Sequence, residues 1–138
     1  SFHKNWNVAE TQNNFVGAFF VFLVEKPYSE IDFDTLPKCM HPIIELEQLA
    51  SGSWLLQALA ILPEYRGKGF VRQLLDKAEL VAQEAGAAQI TLQVEEINKV
   101  AVNIYQMNRY FELARRPYRS FPGSHDFGDY ILMSKQLI

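Results

Sequence analysis

Arg66-Gly67-Lys68-Gly69 stands between an apolar run and a long amphipathic stretch. A strand, then glycines and cations, then a helix puts unpaired backbone N–H groups and the positive end of a helix dipole within reach of an anion. Glycine lets the backbone approach it closely, and a phosphate is the natural guest. Two common phosphate loops are excluded: Gly67-Lys68 is not followed by the Ser or Thr of a Walker A loop, and no three-glycine dinucleotide fingerprint is present. The competing reading is a tight turn whose glycines serve only its own shape. Further on, Asn98 is placed to cap a helix whose apolar face carries Ala101, Ile104 and Tyr105. On its own, a tyrosine on such a face is a core residue with its hydroxyl satisfied. Glu45 and Glu47, with His125 and Asp126 near the C-terminus, are candidates for accepting a proton or else solvated charges. Cys39 is the single cysteine, so no internal disulfide forms, and no Cys/His spacing suits a metal. It lies among prolines rather than at a helix N-terminus, which suits packing better than a covalent relay.

Two of these segments together carry a family likeness. Pro63-Glu64-Tyr65-Arg66-Gly67-Lys68-Gly69-Phe70 resembles the acetyl-CoA motif R/Q-x-x-G-x-G/A of the GNAT superfamily of N-acetyltransferases, and Asn98-x-x-Ala101-x-x-Ile104-Tyr105 resembles its second signature, N-x-x-A-x-x-L-Y-x-x-x-G-F. The resemblance runs from about Asn7 to the C-terminus. The family's usual first strand and first two helices have no counterpart, as expected of a chain that begins late, at Ser1 without Met. It implies an α/β fold of the GNAT acyl-CoA N-acyltransferase type, a mixed and mostly antiparallel sheet flanked by helices, with acetyl-CoA as the acyl donor. Backbone groups of Leu59, Ala60 and Ile61 would then pair with the pantetheine arm like an added strand. N–H groups from Arg66, Gly67, Lys68, Gly69, Phe70 and Val71 would take the pyrophosphate, Asn98 would bond the arm from the far side, and Tyr105 would sit near the sulfur. Two residues depart from the pattern: Val71 replaces the last Gly/Ala of the first motif, and Arg109 replaces the glycine of the second, with Tyr110 in the aromatic place. Within a helix Val71 only crowds the pyrophosphate, whereas a left-handed conformation there would cost roughly 1–2 kcal/mol. Arg109 ends a helix, where a cation suits the dipole.

The implied reaction has a proton problem at each end. An alkyl amine with pKa about 10.4 is almost wholly ammonium at pH 7, so exposing its lone pair costs about 4.6 kcal/mol. A base helps, and Glu45 or Glu47 is expected to supply it. Protonation of a thiolate near pKa 8.5 by Tyr105 near 10 is uphill by only about 2 kcal/mol, so the phenol can serve as the acid. The competing class of function is a non-catalytic module that binds or senses acyl-CoA without turnover.

These residues need positioning, and the patterning supplies the elements. Around Trp6 and Val8 the alternation predicts a strand over 2–10, the polar Thr11–Asn14 a turn, and the doubly apolar Phe15 to Val24 a strand buried on both faces, with Gly17 marking a bulge or a close approach. Residues 25–53 carry Pro27, Pro37 and Pro42, and two lysines against six acids, a local charge of -4. This segment is expected to be an insertion on the acceptor side, suited to a cationic, partly apolar amine. Within it, Pro42, the spacing of Ile43, Leu46 and Leu49, and Gly52 predict a short helix. Trp54–Ile61 reads as a central strand and Gly69–Ala85 as a long amphipathic helix stopped by Gly86. Ile90–Val94 reads as a strand, and two last strands fall near Phe111–Arg116 and Tyr130–Lys135.

The 138 residues are expected to form a single domain over 1–138, with 49% hydrophobic and 21% charged residues, which excludes disordered and fibrous chains. A net charge of -3 without a basic cluster argues against nucleic acid as a partner. The longest apolar stretch is too short for a membrane helix and no leader precedes it, so the protein is expected in the cytoplasm with no membrane partner. The expected partners are acetyl-CoA and an amine acceptor, with room for a homodimer.

Overall fold

The doubly apolar and alternating runs become six strands of one sheet, and the helical stretches cover its two faces. The computed structural model describes residues 7–11, 14–119, 123 and 127–137. In chain order the elements are β1 (Asn7–Thr11), β2 (Asn14–Leu23), α1 (His41–Leu49), β3 (Trp54–Ile61), α2 (Phe70–Glu84), β4 (Gln89–Glu95), α3 (Lys99–Met107), β5 (Phe111–Pro117) and β6 (Asp129–Gln136). The strands lie in the order β1-β2-β3-β4-β6-β5. Only β3 and β4 run parallel, joined by α2 as the crossover; the other pairs are antiparallel. The mixed, mostly antiparallel sheet that the family resemblance implies is the observed one.

Side-chain alternation divides the layers. Leu74, Leu75, Ala78 and Ala82 of α2 are buried against Phe19 and Val21 of β2, Leu56 of β3, Ile90 and Leu92 of β4, and Ile131 and Met133 of β6. Leu132, between the last two, points to the other face and packs on Leu46 and Ala50 at α1. α1 and α2 therefore sit on opposite faces of the sheet. Gln93 Nε2 ties α1 down by donating to the Ile43 carbonyl at 3.0 Å. β2 is buried on both faces over Val16–Val21 apart from the half-buried Ala18, while its ends, Phe15 and Leu23, are exposed.

The feature that makes room for a ligand is the divergence of β3 from β4. They pair only at Trp54–Ile90, Leu55–Thr91 and Leu56–Leu92, although β3 runs on to Ile61 and β4 to Glu95. At that point the register between β2 and β3 steps from Val21–Leu56 to Phe20–Ala58, leaving Gln57 as the extra residue of a bulge. A bulge bends and twists its strand, so β3 leaves β4 while staying bonded to β2.

Gly17 shows how tightly that path is held. Its register partner is Ile61, and a Cβ built there would lie 2.3 Å from the Ala60 carbonyl oxygen and 3.2 Å from Ile61 Cα. The β1–β2 register also skips Val16 beside it, so bulge and close approach coincide. Gly17→Val should lower the unfolding free energy by about 1–3 kcal/mol through overpacking against backbone that cannot yield cheaply. A shifted denaturant midpoint with a near-constant slope checks this; an unmoved midpoint would contradict it.

Candidate active site

Where β3 and β4 part, a groove of about 980 Å³ runs between the end of β3, the first turn of α2, and α3. That volume suits a sizeable small-molecule ligand. Of the residues expected at a cofactor site, Leu59, Ala60, Ile61, Arg66, Gly67, Gly69, Phe70, Val71, Asn98 and Tyr105 all line it, while Lys68 does not. Two stretches distant in sequence, 59–71 and 98–105, are thus brought to one surface.

The loop into α2 is shaped by its two glycines. Gly67 and Gly69 have φ of 75° and 82°, a left-handed region unfavourable for side chains, and a Cβ on either would meet nothing within 4 Å. The turn thus needs glycine for its own shape and also leaves its backbone open on the groove side. Gly69 is the N-cap of α2 and supplies no side-chain acceptor, so the first-turn N–H groups remain for solvent or a ligand. Tyr65 and Phe70 brace the loop edge to face, ring centroids 5.6 Å apart. Arg66 Nε donates to the Ile61 carbonyl at 3.0 Å, which engages one of the strand groups expected to face the cofactor. Val71 lies within α2, free of left-handed strain, and reaches the groove only with its side chain.

α3 forms the opposite wall. Asn98 caps it, its Oδ1 accepting from the Ala101 N–H at 3.2 Å, which leaves the amide nitrogen as the group Asn98 can offer a ligand. Tyr105 is half-buried, and burial pushes its phenol above the ordinary value, so it stays protonated as a donor at physiological pH. The roughly 2 kcal/mol uphill figure for unperturbed groups is therefore modified, but the same dry surroundings would raise a thiol too, so the two shifts oppose each other. The Tyr105 ring meets Tyr110 at 6.0 Å. Tyr110 is fully buried, and its hydroxyl donates to Glu79 Oε2 at 2.9 Å while Lys135 Nζ donates to Glu79 Oε1 at 2.7 Å. Burial and the Glu79 carboxylate drive the Tyr110 phenol far above its normal range, so the network holds it as a fixed neutral donor beneath Tyr105.

The two acids expected to serve as the base do not line the groove. Glu45 and Glu47 stand on α1, on the other face of the sheet, and neither lines the groove. Glu45 Oε2 is 3.7 Å from Arg116 Nε, and Glu47 accepts from the Tyr28 hydroxyl. Cys39 is half-buried outside the groove. His125 and Asp126 lie outside the described residues.

Several groove residues went unmarked by the sequence reading: Arg72 and Asp76 of α2, Asn108 after α3, and Lys135 of β6. The first two lie on what reads as a solvated helix face. The signal for the buried network was Glu79, an acid at the spacing of Leu75, Ala78 and Ala82 on the apolar stripe of α2. Arg109 has φ of 72°, so a residue expected merely to suit a helix terminus carries left-handed strain of roughly 1–2 kcal/mol where glycine would carry none.

Comparison with known proteins agrees with this geometry. The sequence model of the acetyltransferase (GNAT) family matches residues 3–109. Thialysine N-epsilon-acetyltransferase of Mus musculus is 37% identical over 51 residues, 37% of this chain and 30% of the mouse protein. Among solved structures, Chaetomium thermophilum Naa20 in complex with a bisubstrate analogue superposes with a TM-score of 0.63 at 24% identity, covering 94% of this chain and 64% of that one. A Bacillus subtilis acetyltransferase in complex with CoA gives a TM-score of 0.66 at 16% identity, covering 95% and 75%.

The strain at Arg109 is measurable. Arg109→Gly removes it but lets the unfolded chain gain about 0.4–1 kcal/mol of entropy, so stability should rise by about 0.5–1 kcal/mol. Equilibrium denaturation checks this, and a less stable glycine variant would show that the arginine side chain holds the turn.

Proposed function

The chain belongs to the GNAT acetyltransferase family, and on that premise we propose that it transfers an acetyl group from acetyl-CoA to a primary amine of a small molecule or peptide by direct attack. The observation that carries this is the meeting, in one groove, of an unpaired strand edge at Leu59–Ile61 with the bare N-terminus of α2. An extended arm bearing amides on one side and a pyrophosphate beyond it needs a strand-like edge next to an anion-binding helix end.

Each residue then has a task. Amide and carbonyl groups of Leu59 bond the arm, and the Ile61 carbonyl joins them when Arg66 releases it, while the Ala60 carbonyl faces β2 at Gly17 and Ala60 only lines the groove. Backbone N–H groups from Gly67 to Val71 meet the pyrophosphate, with Arg66 and Lys68 adding positive charge nearby. Asn98 offers its amide N–H from α3. With the donor filling the splay from the α2 and α3 face, the amine reaches the thioester from the α1 face, where the acidic segment 25–53 supplies charge complementarity. Because both sit on α1 and are engaged there, Glu45 and Glu47 act by attracting a cationic acceptor. Its ammonium proton passes to water. The amine nitrogen bonds to the carbonyl carbon, the carbon–sulfur bond breaks, the sulfur takes a proton from Tyr105, and the proton shed by the nitrogen as it becomes an amide returns the tyrosinate to its phenol through water. Direct attack is favoured over a covalent relay because Cys39 lies outside the groove.

Free CoA thiol released from acetyl-CoA in the presence of a panel of amines tests the reading. Release with at least one cationic amine is expected; tight binding of acetyl-CoA with no turnover across the panel would make the protein a sensing module instead. Tyr105→Phe keeps the ring packing and removes the hydroxyl, so the rate should fall by roughly 10- to 10,000-fold with stability and acetyl-CoA affinity nearly unchanged. A Phe variant as fast as wild type would leave water as the proton source. Neutralising Glu45 and Glu47 together should raise KM for a cationic amine and leave that for acetyl-CoA nearly alone, whereas equal effects on both would indicate a folding defect.

A further inference from the structure

The groove is cationic beyond what the pyrophosphate requires. Among the described residues Arg66, Arg72, Arg109 and Lys135 line it, opposed by Asp76 as the one acid. Lys135 is neutralised by Glu79, and Arg66 is held by its Nε on the Ile61 carbonyl. The side chains of Arg72 and Arg109 have neither an ion pair nor a hydrogen bond among the described residues. They reach the groove from its two walls, Arg72 from the first turn of α2 and Arg109 from just past the end of α3. Arg109 also occupies a left-handed position at φ 72° that glycine would fill without strain. A large cation kept at such a position is accounted for when its charge has a ligand to meet.

We propose that Arg72 and Arg109 form a subsite for a phosphomonoester at the nucleotide end of the donor, the 3′-phosphate of CoA, making the protein selective for CoA thioesters over those whose donor lacks that phosphate. This rests on the acetyl-CoA reading of the groove. The pyrophosphate is met by backbone N–H groups at the start of α2, which leaves the two guanidinium groups for the second anionic centre. A phosphomonoester carries a charge of about -1.5 to -2 at neutral pH and offers several acceptor oxygens, a match for the fork of a guanidinium. Asp76, one turn after Arg72, disfavours an anion unless both arginines are present, so losing either one is felt.

Calorimetric titration of the protein with CoA and with 3′-dephospho-CoA tests this, in the wild type, Arg109→Gly and Arg72→Gln. The wild type should bind CoA about tenfold more tightly than the dephospho form, as exposed charge-assisted hydrogen bonds imply. Each variant should weaken CoA binding toward the dephospho value and leave dephospho-CoA within about twofold. Because Arg109→Gly relieves backbone strain, its loss of affinity cannot be assigned to poor folding. A variant that weakens both ligands equally places its arginine on the shared part of the donor and overturns the proposal, as does one that weakens neither. A wild type that binds CoA and dephospho-CoA equally well also overturns the subsite while leaving the groove's reading intact. Failure to bind either would overturn the groove's reading itself.

Discussion

β3 and β4 share backbone hydrogen bonds only as far as Leu56 and Leu92, and the extra residue Gln57 turns β3 away immediately beyond. Each strand stays bonded to its outer neighbour, β3 to β2 and β4 to β6. The sheet can therefore open in its middle without coming apart. An inner strand edge without a partner strand is costly unless water or a ligand meets its polar groups. The backbone beyond Leu56 is thus the structure's vulnerable point and, in the proposed function, the edge that meets an extended ligand. Gly17 is the counterpart on the other side, since only a residue without a Cβ lets β2 lie against the Ala60 carbonyl.

The helices convert this opening into a site. α2 anchors its apolar stripe in the core through Leu74, Leu75, Ala78 and Ala82, which fixes where its uncapped N-terminus points. α3 is short and has no fully buried residue, so its position depends on partners at its end. Tyr110, Glu79 and Lys135 provide them: a buried phenol, a carboxylate nearly out of solvent and an ammonium that answers it. Removing one member would leave a buried charge or donor unmatched, the costly way to break such a network. Through the contact of its ring with Tyr105, the network also sets the orientation of the residue assigned the proton transfer.

Most of the scaffold was legible because its signals are local. The period of α2, the alternation of β4, Gly86 after the helix and Asn98 at the start of α3 each declare themselves within a few residues. The glycine loop and the Asn98 to Tyr105 spacing placed the groove's two walls. The strand divergence was less legible, because a bulge at Gln57 depends on how β2 pairs with β3 and leaves no mark on β3's own pattern. Nor could the sequence place Glu45 and Glu47, since the face that α1 covers follows from Leu46 meeting Leu132, a contact across the fold. Arg109 shows the reverse case: a departure from the family pattern at a position where the backbone does adopt the conformation glycine favours.

If the diverging end of β3 and the start of α2 together bind the donor through backbone, amide hydrogen exchange with and without saturating CoA will report it. Slowed exchange is expected within Leu59–Ile61 and Gly67–Val71, with little change in β1 or β5. Saturable CoA binding that leaves both segments exchanging as fast as in the free protein would contradict it.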